Sequence, residues 1–293
     1  MSDDLSVLGP GILVRTLSTP FSGAGRGRAW QYHPRGDRHS KVACWGVLFD
    51  AMRTSAFLRE HVENGQVGFG INHAMSDFKL DRRKNLDLVL CSPARGEIPR
   101  AGKSFSDLVD QYEIELDSRE LAALRKLPPL FETPAGSVRA ALEAKACMTA
   151  HVKAKPRLYD ELNSSHLTIH GASQMAIAAG FLMVNVAPDF ISPGRTGFCP
   201  DCGHEVMPVN KHKQPRDAEQ VVAKVRQLPR RASVQEDGFD AFAIVAVECH
   251  NDGSRVELRT DPPAPPPGDI FHYDQMIDRF VHLYETRFPR VRG

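Results

Sequence analysis

The chain is 293 residues long and 42% hydrophobic, enough for a real core in one large domain or two small ones. Its 37 Lys and Arg against 36 Asp and Glu leave a net charge of +1, so the total announces no polyanion partner. The signs are segregated, however, with basic stretches at 79–84, 151–157, 210–216 and 224–231 and acid gathered in 107–120. That permits a nucleic-acid-binding face without requiring one.

In chain order, residues 1–40 are broken by Pro10, Gly11, Pro20, Gly23, Gly25, Gly27, Pro34 and Gly36 and are expected to form an irregular arm. Arg26, Arg28, Trp30, Tyr32, His33, Arg35, Arg38 and His39 interleave aromatic and basic character there. Ser40 is a suitable N-cap for a helix over 41–63, in which Trp45, Leu48, Phe49, Met52 and Ala56 share one buried face. The same spacing carries Glu60 and Glu63 to its end. Residues 65–70 read as a turn-rich link, and 85–91 as the first strand, an apolar run interrupted only by Asp87. Residues 92–136, with five prolines and an acidic amphipathic piece at 104–127, read as an insertion outside the core. Residues 138–147 form a second strand, Val-Arg-Ala-Ala-Leu-Glu-Ala-Lys-Ala-Cys. Side chains two apart on a strand share a face, so Glu143 and Lys145 project together from a run that wants burial. A buried carboxylate and ammonium are costly unless they pair or hold a metal.

Pro156 then opens a helix over 156–170, with Arg157, Glu161 and Ser165 on one face. His166 and His170 share a neighbouring face and, lacking a third ligand, read as satisfied or exposed side chains. A buried strand follows at 181–187. Beyond Pro193-Gly194 come a helix at 217–228, a strand at 240–247, a stiff Pro-rich connector at 264–268 and an amphipathic helix at 273–288. That last helix needs a surface to cover, either this chain's sheet or a second protomer, so a homodimer is possible. Cys199 and Cys202 have the spacing of half a zinc site, but the second half is missing at the usual distance. The start has no basic and apolar leader, no apolar run is long enough to span a bilayer, and six scattered cysteines suit a reducing compartment. A cytoplasmic protein without a membrane partner is expected.

An Asp on one strand and Glu-x-Lys on another is an arrangement that holds a divalent cation beside a scissile phosphate. Through Asp87, Glu143 and Lys145, the helix after them and the strand 181–186, about half of the chain resembles the restriction-endonuclease-like superfamily of PD-(D/E)XK nucleases. It departs from that pattern twice: Leu86 stands where the motif has Pro, and the long gap between Asp87 and Glu143 implies an insertion. Asp77, Asp107, Asp117 and Glu132 are other sources of a first carboxylate, but Asp87 alone lies in a strand-like run that can hold it rigidly.

The resemblance implies an α/β fold with a central mixed sheet flanked by helices. Residues 41–191 would be a catalytic core containing the insertion 92–136, and 192–293 a C-terminal α/β extension packed on it, all within one domain, 1–293. It implies Mg²⁺, or Mn²⁺ in its place, held by Asp87 and Glu143 with Glu63 (or Glu60) from the first helix. Lys145 would donate to developing charge or help deprotonate the water. The expected partner is double-stranded DNA, with Lys153, Lys155 and Arg157 after the active strand and Arg35 and Lys41 in the arm contacting phosphates. The expected activity is that of a restriction or phage-defence endonuclease. The alternatives are a catalytically decayed nucleic-acid-binding module on the same fold and a zinc-knuckle adaptor. No Gly-rich phosphate loop, nucleophile elbow or dinucleotide fingerprint is present, so NTP use and acyl chemistry are not expected.

Overall fold

The computed structural model describes residues 6–22, 29–77, 81–94, 102–193, 197–198 and 205–288. Where an irregular arm was expected, α1 (Gly9–Ser18) carries Pro10 in its first turn and buries Ile12, Leu13 and Leu17. Proline at a helix start loses nothing, because the first N–H groups have no intrahelical partner. The presumed breaker is therefore a start signal. The single helix expected over 41–63 is two, α2 (Arg38–Thr54) and α3 (Ala56–Glu63). Ser55 divides them with extended backbone and caps the second by accepting the Leu58 N–H at 3.0 Å. Ser40, expected as a cap, lies within the first turn of α2.

Two strands follow, β1 (Gly68–Asp77) and β2 (Arg82–Pro93), the first of them in a stretch expected to be a link and a polar loop. Next come α4 (Asp107–Gln111), α5 (Ser118–Arg125) and the long β3 (Ala135–Cys147). Helix α6 (His151–Ala172) starts five residues before Pro156 and carries that proline inside it, so Lys153 and Lys155 belong to the helix. After it run β4 (Ile177–Asn185), the short strands β5 (Asp189–Ile191), β6 (Gly197–Phe198), β7 (Glu205–Val206) and β8 (Val209–Lys211), and α7 (Arg216–Val225). β9 (Ala241–Glu248), β10 (Glu257–Arg259) and α8 (Tyr273–Arg287) are the last elements among the described residues.

The central mixed sheet has the order β1-β2-β3-β4-β9-β10. Its first three strands are antiparallel, β3–β4 and β4–β9 are parallel, and β10 is antiparallel to β9. Helices α1, α2 and α8 pack on one face, and α6 and α7 on the other. Covered on both sides, all nine residues of β4 are buried, and its sequence is an almost unbroken apolar run. The segment between β2 and β3 is not outside the core as expected: Phe105, Leu108, Tyr112, Ile114, Leu124 and Leu130 join the same cluster as Trp45. The Phe105 ring stacks on Trp45 at 5.1 Å, and the Trp45 indole N–H donates to the Phe105 carbonyl at 3.2 Å. Helix α8 buries Met276, Ile277, Phe280 and Tyr284 against this chain's own sheet, so it is not left for a second protomer.

One carboxylate ties four elements together at the start of β9. Asp240 accepts the Ala178 N–H at 2.8 Å, Arg231 Nε at 2.8 Å and Arg287 Nη2 at 2.5 Å, with His170 Nε2 at 3.4 Å. Burial raises its carboxyl pKa, but the His170, Arg231, Arg287 and Ala178 hydrogen bonds outweigh that and hold it well below the usual range. No helix among the described residues is long and apolar enough to cross a membrane.

Candidate active site

β2 and β3 are paired from Pro93↔Ala135 up to Leu88↔Leu142. One step further the register would set Asp87 against Glu143, and there the strands part. The Ala144 N–H donates at 3.0 Å to Asp87 Oδ2, so a side-chain carboxylate takes the place of a strand carbonyl. β2 stays paired with β1 as far as Arg82, and β3 with β4 as far as Cys147, which leaves a fork in an otherwise continuous sheet. Helix α6 closes one side of the fork: Lys84 Nζ donates to the Glu161 carbonyl and Ser165 Oγ, each at 2.5 Å, and to Ser164 Oγ at 3.1 Å.

Glu143 is 2% exposed. Its Oε1 accepts from Lys145 Nζ at 2.8 Å and lies 3.6 Å from Lys84 Nζ, while Oε2 is buried with no hydrogen-bond partner. Burial and nearby Asp87 push its carboxyl pKa up, despite the opposing pull of Lys145 and Lys84. Burial lowers the Lys145 pKa, but the charge and hydrogen bond of Glu143 more than compensate, and its amine is held above the usual range. Glu161 of α6 approaches the same ammonium at 3.8 Å. Asp87 Oδ1 accepts from Lys41 Nζ at 2.7 Å and from Ser40 Oγ at 3.0 Å. Burial would raise the Asp87 pKa, but Lys41, the Ala144 N–H and Lys145 prevail and lower it. Lys41 also donates at 2.5 Å to Oδ1 of Asn72, which falls opposite Asp87 on β1 and has φ +51°.

The fork opens on a cleft of about 470 Å³ lined by Asp87, Lys145, Arg157 and Glu161, with Tyr32, His39, Met148 and Phe190 also in the lining. Burial lowers the His39 pKa to about 4, against the pull of Asp87, so the ring is neutral at physiological pH. The arm carrying Tyr32 is held rigidly. Asn251 accepts the Tyr32 N–H at 3.0 Å and donates to the Tyr32 and Ile191 carbonyls at 3.1 and 2.8 Å. Gln31 likewise donates to the Ser254 carbonyl at 2.5 Å and accepts the Gly253 N–H at 3.0 Å. The C-terminal third of the chain thereby fixes one wall of the cleft.

The three residues singled out for chemistry, Asp87, Glu143 and Lys145, come together in the fork. Of the expected phosphate contacts, Arg157 reaches the cleft, exposed and bonded to Glu161 at 2.6 Å, and Arg35 is exposed on the arm between two residues that line it. Lys153 is exposed on α6, and Lys155 bonds Gln220 of α7 at 2.7 Å. Lys41 must be corrected: it is 2% exposed and committed to Asp87 and Asn72, so it cannot reach a phosphate at the surface.

Glu63 is exposed at the end of α3, and neither it nor Glu60 lines the cleft. Their helix docks through His61 Nδ1, 2.9 Å from both the Tyr284 hydroxyl and Arg139 Nη1. Arg139 lies four residues before Glu143, about 13 Å along the strand. The break at Ser55 redirects α3 there, and the acid that does approach the fork is Glu161.

Asp107 and Asp117 serve as local turn and cap acceptors, Glu132 faces Lys103 at 3.9 Å, and Asp77 is buried at the end of β1 against Gly171. His166 and His170 are both buried, the first bonded to Asn163 at 3.0 Å and the second beside Asp240. Cys199 and Cys202 lie outside the described residues. Missed from sequence were Lys84, Ser40, the partnership of Lys41 with Asp87, and the approach of Glu161; only the i, i+4 face shared by Arg157 and Glu161 hinted at the last.

The donors offered to a metal are hard oxygens: the unpartnered Glu143 Oε2 and the Asp87 carboxylate. That set suits Mg²⁺, which keeps several waters and takes one or two carboxylates plus phosphate. Among the described residues no group of three or more His, Cys, Asp or Glu side chains is arranged to hold a metal alone. No protein family, curated protein or solved structure matches this chain.

Proposed function

We propose that the protein is a metal-dependent endonuclease acting on double-stranded DNA, on the restriction-endonuclease-like pattern and in a restriction or phage-defence role. One observation carries the reading: Asp87 and Glu143-x-Lys145, on neighbouring strands, meet where those strands part, and Glu143 keeps a buried oxygen without a partner. A carboxylate oxygen buried without a hydrogen bond costs free energy, which a bound cation would offset. Asp87 and Glu143 would hold Mg²⁺ or Mn²⁺, which when bound supplies Lewis-acid polarisation of the phosphoryl group and a more acidic water.

The chain's own groups define the rest. Lys145, held protonated by Glu143, acts as a hydrogen-bond donor to negative charge developing on the phosphate, and not as a base. Arg157 at the cleft and Lys153 further along α6 offer phosphate contacts that position a duplex without reading its sequence. The pinned arm limits how a strand can enter.

The decisive experiment incubates the protein with mixed plasmid and phage DNA in Mg²⁺ or in chelator and maps the ends. Mg²⁺-dependent ends with defined chemistry support the proposal; intact DNA under all conditions refutes it. A second reading, a nucleic-acid-binding module without catalysis, draws on the ion pair that already occupies Asp87. It predicts retarded but uncut DNA in the same assay.

A further inference from the structure

Each carboxylate of the fork already has a cationic partner. Lys41 sits on Asp87, Lys145 on Glu143 with Lys84 close by, and Arg157 on Glu161, at 2.7, 2.8, 3.6 and 2.6 Å respectively. Of these, Lys41 differs from the others. Its side chain is 1% exposed, comes from a different layer of the fold, and spends its donors on Asp87 Oδ1, the Asp87 carbonyl and Asn72. With Ser40 on the same oxygen and the Ala144 N–H on the other, both Asp87 oxygens already accept hydrogen bonds, while Glu143 Oε2 accepts none. A divalent cation held by the two carboxylates would therefore compete with an ammonium for Asp87, whereas at Glu143 the neighbouring Lys145 and Lys84 both face Oε1 and leave Oε2 open.

We propose that Lys41 is a resident cation of the site: it holds Asp87 in the absence of metal and must yield part of that contact when a divalent ion binds. It is a positioning residue acting through Asp87. The proposal rests on the metal-dependent reading of the site. It has a physical consequence that the reading alone does not. Like charges adjacent at low effective dielectric repel strongly, so Lys41 weakens metal binding to the free protein. An arriving phosphate diester, which adds negative charge, relieves that repulsion, and metal and DNA then favour one another's binding by the same factor.

The test uses Mn²⁺ alone, titrated into the full-length protein and followed by calorimetry or by the electron-paramagnetic signal of free ion, with no nucleic acid present. Lys41→Met, close in length and uncharged, is expected to bind Mn²⁺ at least about tenfold more tightly than wild type. Adding Asp87→Asn to Lys41→Met should abolish that gain. Equal or weaker Mn²⁺ binding by a Lys41→Met protein with wild-type near-ultraviolet circular dichroism overturns the proposal.

Lys41→Gln, which keeps a donor to Asp87 without the charge, serves if the methionine variant does not fold, with the same expectation. The wild type is itself a test: low-micromolar Mn²⁺ binding in the absence of DNA overturns the proposal whatever the variants do. The two readings fail separately. Tighter Mn²⁺ binding by the variant with no DNA cut by any form of the protein leaves the Lys41 role standing and removes the nuclease. Mg²⁺-dependent cleavage with unchanged Mn²⁺ affinity does the reverse.

Discussion

Replacing Asp240 with Ala tests whether the parallel half of the sheet depends on one buried charge. The side chains of Asp240 and of the Arg231 it neutralises are both fully buried. Removing the acid leaves that guanidinium with only the Ala176 and Val234 carbonyls, at 2.7 and 3.3 Å, and orphans the Ala178 N–H. Breaking a buried pair from one side costs about 3–5 kcal/mol, a large part of the roughly 5–15 kcal/mol that holds a domain together. In equilibrium urea unfolding the midpoint should fall accordingly, and in a thermal scan by roughly 6–10 °C at about 2 °C per kcal/mol for a chain of this size. The double variant Asp240→Leu, Arg231→Met should recover part of the loss, because it strands one guanidinium, that of Arg287, instead of two. The pH dependence follows from the depressed carboxyl pKa. The stabilisation is present above the unfolded value near 4 and is lost as pH falls below it toward the folded one. A loss under about 1 kcal/mol for Asp240→Ala, or a double variant worse than the single, would show that this cluster is not what joins β4, β9, α6 and α8.

Three further outcomes are expected. Asp87→Asn, Glu143→Gln and Lys145→Met should each cut DNA at least about a hundredfold more slowly while still retarding it in a gel, and Asp107→Ala should cut normally. An essential Asp107 beside a dispensable Asp87 would reverse the assignment of the first carboxylate. Burial holds His166 down at about 4, so between there and the unfolded value near 6.5 the unfolded chain binds the extra proton and stability rises with pH. Its share of the swing is about 3 kcal/mol and should be missing from the profile of His166→Leu, which keeps the contribution of His39; parallel pH profiles for the two proteins would refute it. Asn251→Ala removes three hydrogen bonds from a residue at φ +60°, and trypsin should then cleave after Arg35 on the order of tenfold faster. An unchanged cleavage rate would mean that the arm is held by something else.

What the sequence made legible was whatever expresses itself as periodicity within one element. The apolar runs of β3, β4 and β9 and the helical spacing of α8 were readable because each element is covered by others and must be apolar where it is covered. Glu143 and Lys145 stood out for the same reason, as charges inside such a run. β1 was not legible: two glycines open it, and its burial does not alternate around Asn72, whose positive φ breaks the pleat. The break at Ser55 was hidden because apolar spacing continues across it, and the start of α6 because Pro156 is a stronger conventional start signal than His151. Lys41, Lys84 and Glu161 reach the fork from elements far apart in the chain. No local pattern reveals which helix crosses which strands. Lys41 was misread because it follows the basic run Arg35, Arg38 and His39, whereas its own side chain points inward to the only carboxylate on that stretch of β2.

The strand order also sets a timetable for the nascent chain. β4 ends at Asn185, yet its parallel neighbour β9 does not begin until Ala241. At roughly 5–20 residues per second, several seconds of synthesis separate them. Throughout that interval the edge of β4 away from β3 has no strand beside it, the condition under which sheets add foreign strands. Ribosome stalling or premature termination between these points should release a product that aggregates or engages chaperones, and C-terminal truncations that stop short of β9 should be recovered in inclusion bodies and not as a smaller, working core.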